Sequence, residues 1–529
     1  MDNQTYVWNP VISESEYQNP ILNADYSDPD IIAVGDDYYM VASSFNHVPG
    51  LPILHSNDLV NWTIVNHAIT AYPDSAYDKP QLGRGAWAPS IRYHDGLFYI
   101  FYALPDDGIF QCHTSDPRGK WSKPHLVVEA KGWIDPCPFW DDDGKAYLVH
   151  GFAHSRSGVK HKLQLFEMAP DATHLLDEGK IVYDGAFDAP TIEGPKFHKR
   201  NGWYYIFAPA GSVETGWQCV LRSKTIDGPY ELKVVLMTGN TNVNGPHQGG
   251  WIETPYGECW FVHFQDRGYL GRVVHLQPMH WREDDWPEIG VQVDYLGEKI
   301  GQPVDVYPRP KCKGNHPNVV PQTSDDFQGA ELGKQWQWQA NPQAQWLEFV
   351  TDSNTNQQKL RLNVQQLENT EKGCSLFYAP HLLLQKFPHT HFKVETSVQA
   401  NVETEGDFTG LVIYGRRFAS LGLKKHQGET HLVMLSGWLS DSSIIHQKED
   451  VICKWNGDQV DICVLQKNIF CTFGYRENSS QEYQYLEKPF ICSQGVWVGA
   501  KMGLCALNAN QASQGFGDFT HFTVSPLPE

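Results

Sequence analysis

Apolar and polar positions along the first 300 residues alternate in short runs, and no stretch holds the three-to-four-residue spacing of an amphipathic helix. Five stretches share one pattern: "DPDIIAVGDDYYMVAS" from Asp28, "APSIRYHDGLFYIFYA" from Ala88, "DPCPFWDDDGKAYLVHG" from Asp135, "EGPKFHKRNGWYYIFAP" from Glu193 and "HQGGWIETPYGECWFVHF" from His247. Each predicts a short strand, a turn built on Gly, Asp or Asn, and an aromatic second strand, which is a β-hairpin. The repeat recurs roughly every 50 residues, the period of four-stranded propeller blades. Between the repeats, "HSNDLVNW" (55–62), "TSDPRGKW" (114–121) and "RSKTIDGPY" (222–230) supply the outer turns of blades one, two and four. The expectation is an all-β chain that opens with a five-bladed β-propeller.

The pattern changes after residue 300. "GQPVDVYPRPKCKGNHPNVVPQTSDDF" carries prolines at 303, 308, 310, 317 and 321, the composition of a stiff connector. Beyond it, "QKLRLNV" (358–364), "HFKVETSVQA" (391–400) and "GDFTGLVIYG" (406–415) alternate with period two and predict a β-sandwich. The expected division is a propeller over 1–305, a connector over 306–322 and a sandwich over 323–529.

Charge and cysteine content narrow the partners. A formal net charge of -21 argues against nucleic acid and anionic membranes, both of which need a positive field. No window is apolar enough to span a bilayer, and the N-terminus lacks a basic segment followed by an apolar one. The expected partner is a neutral molecule, with self-association into a homo-oligomer left open. The 11 cysteines are odd in number and contain no CxxC pair, so neither a zinc site nor a disulfide framework is indicated. They fit small buried side chains in a reducing compartment, hence a cytoplasmic expectation, with a periplasmic or secreted chain as the alternative. Aromatic residues at 13%, with 18 Trp, suit both core packing and stacking on sugar rings.

In a propeller the innermost strand of each blade lines the central channel. Asp28, Trp87 with Ala88, Asp135, Glu193 and His247 are therefore expected to converge on one funnel. Cleaving a glycosidic bond takes two carboxyl groups, one protonated to assist the leaving oxygen and one ionised to activate water or attack. Asp28 and Glu193 could form that pair, and Asp135 could keep Glu193 protonated by like-charge coupling. The repeat alone does not say which group carries the proton.

These residues, with "NPILNADYSDPDIIAVGDDYYMVASSFNHVPGLPILHSNDLVNW" (19–62), "RGAWAPSI", "WIDPCPFWDDDGKAYLVHG" and "IEGPKFHKRNGWYYIF" in that order, resemble glycoside hydrolase family 43 over nearly the whole chain. The resemblance is to its two-domain β-xylosidases and α-L-arabinofuranosidases, and implies a jelly-roll, concanavalin-like sandwich. It also implies an exo-acting, inverting hydrolase that releases terminal β-D-xylose or α-L-arabinofuranose from hemicellulose fragments. Asp28 would be the general base, Glu193 the general acid and Asp135 the carboxylate that tunes the acid. Trp87 and Ala88 would wall the terminal sugar, Arg272 would reach its hydroxyls, and Phe516 from the sandwich would meet the next sugar. No cofactor is implied as required. His247 corresponds to a histidine that in some members helps hold a calcium ion or a water cluster near the axis.

The sequence departs from the xylosidase pattern in reading SDPD at 27–30, which adds Asp30 near the base, and in "GFAHSRSGVKHKL" (151–163). Two further readings compete: a retaining fructosidase of the same architecture, whose WxNDPNG and RDP motifs are replaced here by SDPD and IDPC, and a carbohydrate-binding propeller without turnover.

Overall fold

A computed structural model describes residues 6–295, 297–314, 316–353, 355–368, 375–440 and 445–527. The architecture is all-β, a five-bladed propeller followed by a β-sandwich. Each blade is a four-stranded antiparallel sheet made from one contiguous stretch of chain, and blade four is extended to six strands by a hairpin, Val291–Tyr295 and Glu298–Gln302. The innermost strands are Asp30–Val34, Trp87–His94, Trp133–Trp140, Lys196–Arg200 and His247–Glu253.

The hairpins form where the turn chemistry dictates. Arg200 pairs with Trp203 across Asn201 and Gly202, and His94 pairs with Leu97 across Asp95 and Gly96. All four turn residues have positive φ, as two-residue turns that match the strand twist require. The three outer turns read from sequence each join the third and fourth strands of their blades. For 55–62 these strands are Gly50–Ser56 and Thr63–Ile69.

The ring closes through the N-terminal segment. Leu22 exchanges backbone hydrogen bonds with Val274 of blade five, and the Tyr26 N–H donates to the Arg272 carbonyl at 2.9 Å. Asn19 fixes the same join by donating to the carbonyls of Leu276 and Val304 and accepting from the Leu276 N–H. A strand crossing from the first blade to the last thus takes the place of a shared sheet, satisfying backbone groups that an open ring would leave unpaired.

Below the funnel the channel is filled by charge. Asp30, 1% exposed, accepts from Arg92 at 2.6 Å and from the Ile91 N–H at 2.9 Å, while a second Arg92 nitrogen lies 3.0 Å from the Cys137 sulfur. The extra carboxylate of SDPD is therefore a buried tie between blades one and two.

The proline-rich segment is tacked down along blade one. Val306–Pro308 pairs with Glu16–Gln18, and Arg309 donates to the buried Asp58 at 2.7 Å. The sandwich stacks two sheets built on Lys501–Asn508 with Asp407–Tyr414, and on Phe516–Pro526 with His391–Asn401. Leu360, Val394, Leu411, Leu421, Ile462 and Leu504 interlock between them.

Candidate active site

The five inner strands share a backbone feature at their head. Asp28, Ala88, Asp135, Gly194 and Gln248 all have positive φ, at 55°, 30°, 58°, 57° and 34°. In four blades the next residue is proline (Pro29, Pro89, Pro136 and Pro195), and in the fifth it is Gly249. In blades two, three and five this residue sits in a β-bulge, between Trp87 and Ser90, Ile134 and Cys137, and His247 and Gly249. A bulge with a left-handed residue turns the side chain out of the sheet's alternation, which here is toward the axis. For non-glycine residues such a conformation costs on the order of 1–3 kcal/mol each, less for Asp, and is retained where surrounding structure fixes it.

This register corrects the expectation that Glu193 and His247 stand at the same repeat position as the two aspartates. The equivalent residues are Gly194 and Gln248, so Glu193 and His247 lie one residue earlier. The Gly194 backbone is where the two patterns join, because its N–H donates to Asp135 Oδ2 at 2.7 Å. A Cβ on Gly194 would come within 2.8 Å of the Gln248 side chain, so glycine is required both for φ and for space.

Asp28 is surrounded by donors. Ser27 and Ser43 donate to its Oδ2 at 2.8 and 2.6 Å, and Arg272 donates to its Oδ1 at 3.2 Å. Ser43 is itself oriented by the Ala88 N–H at 2.7 Å, and Ser27 by Arg272 at 2.6 Å. Ala88 thus contributes its backbone to the carboxylate's support.

The other two acids have fewer donors. Burial, then the negative charge of Asp28, raises Asp135 to about 7 against the pull of the Gly194 N–H, Lys196 and Arg272. Burial, then Asp135, then Asp28 raise Glu193 to about 8, with Arg272 and a hydrogen bond from Gln248 opposing. The Glu193 side chain remains 27% exposed and is the part of the triad that solvent reaches.

Arg272, 6% exposed, faces all three acids and lies 4.9 Å over the Phe264 ring. Lys196, 1% exposed, donates to the Pro89 carbonyl at 3.0 Å and to Ser90 at 2.8 Å, placing a second fixed cation under Asp135. Sequence reasoning missed Lys196, Ser27, Ser43 and Gln248. The lysine at the head of an apolar inner strand was the available signal; the serines and the glutamine gave none that distinguishes them from loop residues.

His247 is buried with both ring nitrogens unpartnered, and its Nε2 stands 3.7 Å from Glu193 Oε1. Burial, Arg272 and His263 drive it down to about 3, so the ring is neutral. Calcium takes six to eight oxygen ligands. Among the described residues no three His, Cys, Asp or Glu side chains gather as a metal site, and the one carboxylate beside His247 is Glu193 itself.

The sandwich reaches the funnel with a residue other than the one expected. Phe516 begins a strand paired with Asn363 and Asn401 inside the sandwich, and Arg361 lies 3.6 Å over its ring. Its aromatic neighbourhood is thus the sandwich's own sheet. The loop that arrives instead is 494–500: the Gly499 N–H donates to Asp25 at 2.9 Å and the Ala500 N–H to Tyr269 at 2.6 Å. It carries Trp497, 51% exposed, edge-on to Trp87 at 6.2 Å and 5.7 Å from the Arg272 guanidinium. Trp87 also meets Phe45 at 6.0 Å and Arg156 at 4.8 Å, so two indoles and a phenyl ring form one wall.

The pattern described as Glycosyl hydrolases family 43 matches residues 17–287, and that of the beta xylosidase C-terminal Concanavalin A-like domain matches 324–525. A protein of Xylanibacter ruminicola is 38% identical over 493 residues, covering 93% of this chain and 86% of its own. A non-reducing end alpha-L-arabinofuranosidase of Bacteroides ovatus is 30% identical over 358 residues, 63% of each chain. The crystal structure of a xylan beta-1,4-xylosidase from Bacillus halodurans superposes with a TM-score of 0.83 at 25% identity, covering 96% of this chain and 99% of that one.

Two outcomes test the geometry. An acid whose pKa is higher folded than unfolded binds its proton more tightly in the native state, so its contribution falls as pH rises from the unfolded value to the folded one. Glu193→Gln should therefore leave the melting temperature near the wild-type value at pH 4 and raise it progressively toward pH 8; a constant difference across that range would contradict the raised acid. Trp497→Ala should lower kcat/KM on a disaccharide by about tenfold, about 1.4 kcal/mol, chiefly through KM. Phe516→Ala should leave KM unchanged.

Proposed function

We propose, for a chain that belongs to glycosyl hydrolase family 43, the release of single terminal β-D-xylose or α-L-arabinofuranose residues from the non-reducing ends of hemicellulose oligosaccharides. The observation that carries this reading is the split among three carboxyl groups in one funnel, with Asp28 ringed by donors and Glu193 raised to about 8. That split is what an inverting hydrolase needs, one carboxylate to accept a proton from water and one carboxylic acid to give a proton to the leaving oxygen.

In this reading Asp28 takes the proton of a water that attacks the anomeric carbon. Glu193 protonates the departing oxygen from the other side as the glycosidic bond breaks. Its protonation near neutral pH follows from burial and from Asp135, whose position is held by the Gly194 N–H. Arg272 keeps the charge of Asp28 in place as positive charge develops on the sugar ring, and its remaining nitrogens can meet sugar hydroxyls. Trp87 walls the terminal sugar, and Trp497 beside it reaches toward the sugar beyond the scissile bond. Their position favours a pocket that takes a chain end over a cleft that takes the middle of a polymer.

Initial rates on 4-nitrophenyl β-D-xylopyranoside and 4-nitrophenyl α-L-arabinofuranoside, measured side by side, test the reading. Turnover of one or both is expected. Glu193→Gln should cut kcat by at least about 10²-fold on natural disaccharides, whose leaving oxygen needs the proton, and by less on the nitrophenyl compounds. Equal losses on both substrate types would remove Glu193 from the acid's role, and no turnover of either glycoside would favour a binding propeller.

A further inference from the structure

A second cavity lies away from the funnel, between blade one and the sandwich, with a volume of about 460 Å³. That size is within the range of small-molecule sites. Its walls come from the N-terminal segment, blade one, the proline-rich connector and the sandwich strand Leu383–Lys386. None of the funnel residues described above lines it.

The charge of this cavity is opposite to that of the chain. In a protein of formal net charge -21, no Asp or Glu among the described residues lines it, while Lys334 and Lys386 do; His67 lines it as a neutral ring, driven by burial down to about 3. The positive charge extends behind the wall. Lys386 stands directly opposite Lys501 in the neighbouring strand, and Lys501 is 2% exposed. Like charges placed directly across a strand pair repel.

Asp25 is the carboxylate electrostatically coupled to both lysines. Its oxygens are already engaged, however, by the backbone N–H groups of Arg272 at 3.0 Å and Gly499 at 2.9 Å. Burial holds both lysines below the ordinary lysine range, Lys501 further through the charge of Lys386, and an anion bound beside them would favour their charged forms.

The rest of the lining is suited to hydroxyl groups. Gln322, Gln335, Gln337 and Gln385 line it together with Asn23. Gln335 Oε1 and Gln385 Nε2 have no hydrogen-bond partner although these residues are 7% and 1% exposed. The ring of Tyr26 forms part of the wall, with the Lys386 ammonium 5.2 Å above it. Amides pair with hydroxyls, aromatic faces pack on the apolar face of a sugar, and two lysines match one carboxylate.

We propose that this cavity binds a sugar acid, a pyranose-sized hydroxylated molecule carrying one carboxylate, with the carboxylate directed to Lys386 and Lys334. The site is independent of the funnel's chemistry. It recognises a charged sugar, whereas the funnel is built for a neutral one.

Titration calorimetry on the full chain tests this with D-glucuronate as the probe, D-glucose as the neutral analogue and inorganic phosphate as the small anion. One glucuronate per chain is expected, bound at least tenfold more tightly than either control. Lys334→Gln changes an exposed side chain and should weaken glucuronate at least tenfold while leaving nitrophenyl glycoside turnover unchanged. Lys386→Met should weaken it further. The absence of glucuronate binding, equal binding of glucose or phosphate, or an affinity unaltered by Lys334→Gln would each overturn the proposal.

Discussion

Three carboxyl groups crowd the head of one narrow channel, and their mutual repulsion is the constraint around which the rest of the propeller is arranged. Removing them from water disfavours their charged forms, and each ionised neighbour disfavours the next. The structure answers unevenly. Two serines and Arg272 gather on Asp28, a single backbone N–H and the more distant Lys196 support Asp135, and Glu193 has only Gln248 and the field of Arg272. Burial and the neighbouring charges raise Asp135 and, further, Glu193, so a proton is retained where support is weakest. An acid and a base at one pH follow from unequal solvation of similar groups.

That unequal support depends on backbone placement. A left-handed residue at the head of every inner strand brings five blades to the axis in the same way, but only two blades put an aspartate there. In the others Ala88 orients Ser43 through its N–H, Gly194 holds Asp135 through its own, and the Gln248 amide opposes the rise of Glu193. The repeat supplies geometry, and the individual residues at one repeated position divide the chemistry. The buried Asp30–Arg92 tie below and the N-terminal crossing from blade one to blade five keep the ring closed around it.

Much of this was legible in the sequence because hairpin turns and alternation are local signals. Asn201-Gly202 and Asp95-Gly96 specify their turns, and the sandwich strands at Gln358–Asn363, His391–Asn401 and Asp407–Tyr414 fall where the alternation puts them. The three acids could be brought together because propeller blades superimpose by period. The one-residue offset of Glu193 was hidden, since a left-handed φ leaves a mark in the sequence only as the proline or glycine that follows. Contacts between domains left no periodic trace at all. Both Phe516 and Trp497 are aromatic residues near glycines, and only the docking of 494–500 on Asp25 and Tyr269 tells which one reaches the funnel.

The central claim is that burial and the charge of Asp135 together hold the proton on Glu193, and the pH dependence of kcat/KM in wild type and in Asp135→Asn measures the second part directly. The wild-type profile should fall on its alkaline side near pH 8, where the acid is lost. With the neighbouring charge removed Glu193 should ionise more easily, so that limb should move to lower pH. An alkaline limb that does not move when Asp135 loses its charge would contradict the account.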